Sequence, residues 1–167
     1  MRCLIPAIIL FPILGLAQAV KPMAPSREEI SELVDKAEEK VSSFEDAVRR
    51  VKPILESQQT DLLTKNTSAA ENAHKLIRGL QRNGPSAYSL VALIATLDDI
   101  SLNASRTATL VIMSKPTEIN AETQGRLTLL WNAQNSCSDI SELILRATLR
   151  LIQSQESKLN RLADEKN

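Results

Sequence analysis

The sequence predicts an all-α fold: an antiparallel four-helix bundle, with a possible fifth short helix after the first and a C-terminal helix end that protrudes. Three observations predict it. Apolar residues recur at alternating steps of four and three in four separate stretches, the spacing that keeps one stripe of a helix against its partners. Prolines or an Asn-Gly-Pro break stand between the stretches. Aromatic residues make up only 2% of the chain and alternating runs are few, so strands are hard to place.

Residues 1–19 read as a signal peptide. Met1 and Arg2 give a positive start, residues 4–16 form an apolar run, and Ala17-Gln18-Ala19 supplies a small-x-small site before Val20. The run is too short for a ~30 Å hydrocarbon core and is broken by Pro6 and Pro12. No other stretch reads as a span, and residues 162–167 are polar, unlike the hydrophobic tail exchanged for a lipid anchor. The expectation is a secreted, extracellular protein: a leader over 20–25 holding Pro22 and Pro25, then one helical-bundle domain over 26–167.

Ser26 caps the first helix, with Glu29 placed to complete a capping box. Its stripe is Ile30, Val34, Ala37, Val41, Phe44, Val48, Val51 and Leu55, and Pro53 should end or kink it. A second helix begins near Thr60 or Asp61, with Leu63, Ala70, Ala73, Ile77 and Leu80 inward, and stops at Asn83-Gly84-Pro85. The third covers about 86–114, with Leu90, Ile94, Leu97, Ser101, Ala104, Ala108 and Val111 inward, Val91, Ile100 and Ile112 flanking, and Pro116 beyond it. Asn120 caps the fourth, whose stripe is Leu130, Ala133, Cys137, Ile140, Ile144, Ala147 and Leu151. That stripe fades after Gln153, leaving Leu159 and Leu162 on turns that fray or project.

Many stripe positions are alanine. Small residues either let helices approach closely or leave a tunnel that an acyl chain fills. In the tunnel reading the lining is Leu90, Ile94, Leu97, Ala104, Ala108, Val111, Leu130, Cys137, Ile140 and Ile144.

Few residues offer catalytic or metal chemistry. The chain has one histidine, so Glu71-Asn72-Ala73-His74 lacks the second Glu-x-x-His pair that a di-iron bundle requires. His74 reads as a surface residue, and no nucleophile has a second imidazole to choose from. The acidic pairs Glu38-Glu39 and Asp98-Asp99 read as solvated helix faces, and no Gly-rich phosphate loop occurs. We expect no enzyme activity, no cofactor and no metal. Cys3 leaves with the signal peptide, so Cys137 has no internal disulfide partner and reads as a small core hydrophobe or an intermolecular bridge. Lys plus Arg and Asp plus Glu both number 20, and losing Arg2 leaves the processed chain near −1, a balance that gives no electrostatic reason to bind nucleic acid. The sequons at Asn66 and Asn103 predict N-glycans on solvent-facing surface; Asn135-Ser136-Cys137 is a poorer, cysteine-type sequon.

The stretch from about 34 to 151 resembles the fungal hydrophobic surface-binding protein A family, which includes cell-wall galactomannoproteins. The resemblance is carried by Leu62-Leu63-Thr64-Lys65-Asn66 leading to Ile77-Arg78-Gly79-Leu80, and by Ser89-Leu90-Val91-Ala92-Leu93 running to Met113-Ser114-Lys115-Pro116. It continues in Leu129-Leu130-Trp131-Asn132-Ala133-Gln134. It implies a secreted bundle that adsorbs to hydrophobic surfaces and recruits a polyester-degrading hydrolase, with some relatives holding fatty acids between helices. It offers no catalytic residues. The sequence departs from the family in having no Ser/Thr-rich stalk. Two other classes share the predicted fold. Secreted enzyme-inhibitor bundles of similar length rely on two disulfides, which this chain cannot form. A structural bundle would instead self-associate through Leu159 and Leu162, independently of lipid.

Overall fold

The computed structural model describes residues 23–55, 60–114 and 120–165; the expected signal peptide (1–19), the first half of the expected leader (20–22) and Pro116 lie outside them. Four helices follow in order: α1 (Arg27–Val51), α2 (Thr60–Asn83), α3 (Ala87–Ser114) and α4 (Ala121–Asp164). No strand occurs among the described residues.

Each boundary has a local cause. The Ser26 side chain accepts a hydrogen bond from the Glu29 backbone N–H at 2.9 Å, satisfying one of the donors a helix start leaves free. The reciprocal half of the predicted box is replaced, because the Glu29 carboxylate takes the Arg150 guanidinium of α4 instead. Pro53 ends α1 in a turn in which the Ile54 N–H donates to the Val51 carbonyl at 2.9 Å. That turn folds Leu55 back into the core, and among the described residues no fifth helix follows it.

Gly84 terminates α2 with φ of 80°, its N–H donating to the Leu80 carbonyl at 3.0 Å in a left-handed cap. Ser86 caps α3 through the Ser89 N–H, and Asn120 caps α4 through the Thr123 N–H.

Side-chain bonds between helices fix the topology. Gln81 reaches Asp35 and Glu38, Asn66 reaches Thr107, Ser141 reaches Asp98, and Arg150 reaches Glu29. These pairings set every sequential pair antiparallel and return α4 beside α1. The helices therefore stand in the cyclic order α1, α2, α3, α4, with the α1–α2 seam opposite the α3–α4 seam.

The core follows the stripes with three corrections. Every stripe residue of α1 is buried, as are those of α4 except Leu151, which packs half-buried against the core. In α3, Leu90, Leu97, Ala104, Ala108 and Val111 are buried as read, Leu93 and Ile100 are fully buried beside them, and Ile94 and Ser101 are only partly covered. That helix packs against both α2 and α4, so its inward face is broader than one stripe and centres between them. In α2, Leu63 lies half-buried and the buried position on that turn goes to Asn66.

At 44 residues α4 is ~66 Å long against ~42 Å for the 28-residue α3. Because Arg150 pairs with Glu29 near the start of α1, the turns after it pass beyond the other helices. From Gln155 onward every described residue is exposed, so the predicted protruding end is present.

Candidate functional site

Of the ten residues in the predicted apolar lining, nine are buried, none more than 4% exposed, and Ile94 is the exception. They form one continuous cluster, and none of the ten lines the five best-formed clefts among the described residues. The alanines accordingly serve close approach: Ser101 on α3 comes near enough to donate to the Gln134 backbone carbonyl of α4 at 3.2 Å. A larger residue has no space to occupy. Ala104→Leu or Ala108→Leu is expected to overpack the α3 face and cost about 1–3 kcal/mol in urea melts. A gain in stability would reveal an internal tunnel instead.

Cys137 lies in this core, wholly buried and free. Burial pushes its thiol up from 9.0 to about 12, against a smaller opposing pull from the Lys40 ammonium. Because the unfolded chain ionises first, the thiol contributes a fall in stability as pH climbs from about 9 towards 12. A polar maleimide should therefore label native protein slowly at pH 8, and at the rate of an ordinary thiol once denaturant is added. Equal rates in the two conditions would place Cys137 at the surface.

The other chemistry-bearing residues are dispersed or committed. Glu71 is exposed, while His74 turns into the α1–α2 seam and stands 3.4 Å from Glu45 and 3.9 Å from Glu38. The sequence reading of His74 as a surface residue is corrected on that point. No group of three metal-capable side chains forms among the described residues. Asp98 and Asp99 are exposed, Asp98 accepting from the Ser141 hydroxyl at 2.7 Å; Glu39 is exposed and Glu38 half-buried.

The expected solvent-facing sequons are overturned. Asn66 is wholly buried, with its Nδ2 donating to Thr107 Oγ1 at 2.9 Å, and Asn103 is only 9% exposed. Asn66 faces α3, where Thr107 receives it, and Asn103 lies on the same side of α3, one turn before Thr107. A glycan at Asn66 could not fit this packing.

What remains is apolar surface. Its best-organised part runs along the outside of the α3–α4 seam, whose register is set by Ser141 on Asp98 and by Ser101 on Gln134. Val91 and Ile94 precede Asp98 at helical spacing, and Leu145, Leu149 and Ile152 follow Ser141 at the same spacing; Tyr88 points outward from the start of α3. Since the helices are antiparallel, the two rows lie side by side. Tyr88 is 86% exposed, Val91 50%, Leu145 42% and Leu149 49%. Ile94 and Ile152 are partly covered between them. On the overhang of α4, Leu159 and Leu162 are exposed where the inner stripe runs past the other helices, and in the other direction along the seam Trp131 and Leu102 stand exposed beyond its polar middle.

Reading stripes from the sequence missed Leu145 and Leu149, because both fall off the inner face. Their signal was large leucines where the four-and-three rhythm calls for polar residues. Among the described residues no helix is long and apolar enough to cross a membrane. Comparison with protein-family models, with curated proteins and with solved structures finds no match.

Proposed function

We propose that this chain is a secreted, non-catalytic protein that binds hydrophobic surfaces or lipids through the outside of its helices. The observation that carries the proposal is the set of exposed Val91, Leu145 and Leu149 along the α3–α4 seam, together with Tyr88 at the start of α3 and the exposed leucines on the projecting end of α4. Scattered single apolar residues are ordinary on a protein surface; two adjoining rows that end on an unpartnered helix are not. With its core closed, the molecule offers this outer surface, rather than an internal tunnel, to an acyl chain or a polyester. The resemblance to fungal hydrophobic surface-binding proteins points the same way. It adds the proposals of cell-wall association, fatty-acid binding and recruitment of a secreted polyester hydrolase.

Adsorption of the purified protein to polyester film or to neutral phospholipid vesicles tests the reading. Binding should change little between low and high salt, because the near-zero net charge leaves little to screen. Leu145→Glu with Leu149→Glu should leave the melting temperature unchanged, both side chains being half-exposed, and weaken adsorption by about tenfold or more as the apolar contact is lost. Undiminished adsorption by the double variant would remove the seam from the interaction.

The projecting end of α4 favours a second reading, self-association through Leu159 and Leu162, both more than half exposed. In that case sedimentation shows concentration-dependent oligomers without lipid, and Leu159→Ser with Leu162→Ser abolishes them.

A further inference from the structure

A separate feature lies on the opposite seam, between α1 and α2. There a cleft of about 270 Å³ opens to solvent. Phe44, Val48 and Leu63 give it apolar walls, Asn66 lines it from α2, and Glu45, Arg49 and Lys52 are its charged residues. Its volume is well beyond the ~10–15 Å³ that a single isolated water requires.

The Asn66 carboxamide has a specific deficiency. Its Nδ2 donates to Thr107 Oγ1 on α3 at 2.9 Å, and the Thr107 hydroxyl in turn donates to the Asn103 carbonyl at 2.7 Å. The Thr107 proton is thus already used, which fixes the orientation of the amide: Thr107 can only accept from it. Oδ1 diverges from Nδ2, so it turns away from α3. It is the one fully buried side-chain oxygen or nitrogen among the described residues without a hydrogen-bond partner. Leaving such an acceptor unsatisfied is costly, and reversing the amide would only transfer the deficiency to Nδ2.

We propose that this cleft is a binding site for a small uncharged amphiphile whose polar end donates a hydrogen bond to Asn66 Oδ1, a short- to medium-chain primary alcohol being the simplest member of the class. A hydroxyl supplies the donor that Oδ1 lacks, and the alkyl chain lies against Phe44, Val48 and Leu63. A carboxylate offers Oδ1 no donor and sets an acceptor against an acceptor, so it leaves the deficiency at Asn66 in place. An ammonium is disfavoured because the positive charges of Arg49 and Lys52 outnumber the single Glu45 carboxylate among the lining residues. Leu63 is only half-buried, and a shift of its side chain admits the hydroxyl to the shielded oxygen. The site shares no residue with the α3–α4 strip, so it stands or falls independently of adsorption to surfaces.

The test titrates isotope-labelled protein, followed by NMR, with three probes: 1-hexanol, its methyl ether 1-methoxyhexane, and hexanoate. Hexanol should give saturable shifts at the Asn66 side-chain amide and at the Val48 and Leu63 methyls, with an affinity about tenfold or more above that of the ether and of hexanoate, the worth of one buried hydrogen bond. Asn66→Leu, close in size and without the unsatisfied acceptor, should hold its stability or gain and should bind alcohol and ether equally. The wild-type comparison of alcohol with ether decides the matter even if that variant does not fold. Equal affinities for the two in the wild type, or shifts confined to other surfaces, would overturn the proposal and leave Oδ1 to solvent water.

Discussion

Ile144→Asp is expected to unfold the bundle. Ile144 is 1% exposed in the middle of α4, within the apolar cluster that joins all four helices. A carboxylate there is removed from water without a cation or donor provided for it, so it must be neutralised or the helix must leave the core. Substitutions of this kind exceed about 4–5 kcal/mol, a large part of the ~5–15 kcal/mol that holds a domain of ordinary stability. Circular dichroism at 25 °C should show most helical signal lost, or a urea midpoint close to zero. Ile94→Asp is the informative companion. Its position on α3 is only partly covered and lies on the outer seam, so the carboxylate can reach solvent and the cost should stay near 1 kcal/mol. A similar loss of stability in the two variants would mean that Ile94 faces inward, as its simple stripe predicts.

Phe44→Ala is expected to cost about 3 kcal/mol, the lower end of the range for removing a buried aromatic. Phe44 is wholly buried and is the largest of the fully buried side chains. It also lines the α1–α2 cleft, so the space it leaves joins a cleft that water can enter rather than forming a closed apolar void. The cost should come chiefly from lost transfer energy and contacts, with a smaller cavity contribution. A thermal melt should drop by on the order of 10 °C, and Phe44→Leu should recover more than half of that loss. A cost above about 5 kcal/mol would indicate that the new space is sealed and dry.

The sequence made the helices legible because their signals are local. Ser26 and Asn120 carry side-chain oxygens one position before a helix, where the exposed N–H groups need acceptors, and both accept as expected. Gly84 takes a left-handed conformation that ends a helix, and Pro53 lacks the donor needed to continue one. The stripe of α1 was clear because it alternates a narrow apolar face with a charged one, and that of α4 because its four-and-three rhythm runs unbroken from Leu130 to Ala147. The stripe of α3 was ambiguous for the opposite reason. With Tyr88, Val91, Leu93, Ile94, Leu97, Ile100 and Leu102 it is apolar around most of its circumference, and spacing alone does not say which leucine or isoleucine faces inward.

The polar residues were the least legible. Asn66 carries a sequon and sits in a polar stretch of α2, which reads as surface; only the approach of Thr107 from α3 makes a buried place for it. His74 likewise acquires its carboxylate neighbours from α1, 29 positions away from Glu45 in the chain.

By itself, then, the sequence determined an all-helical chain, its four helices, their ends, the inward faces of α1 and α4, and the overhang of α4, because capping groups, proline, glycine and apolar periodicity act within a turn or two. Only the tertiary structure decided that the alanines close the core instead of opening a tunnel, that Asn66 is buried with an unsatisfied oxygen, and that Leu145 and Leu149 lie beside Val91 on one outer seam. Each of those depends on the rotation and register of one helix against another, which the packing of many side chains sets together and no single stretch of sequence encodes.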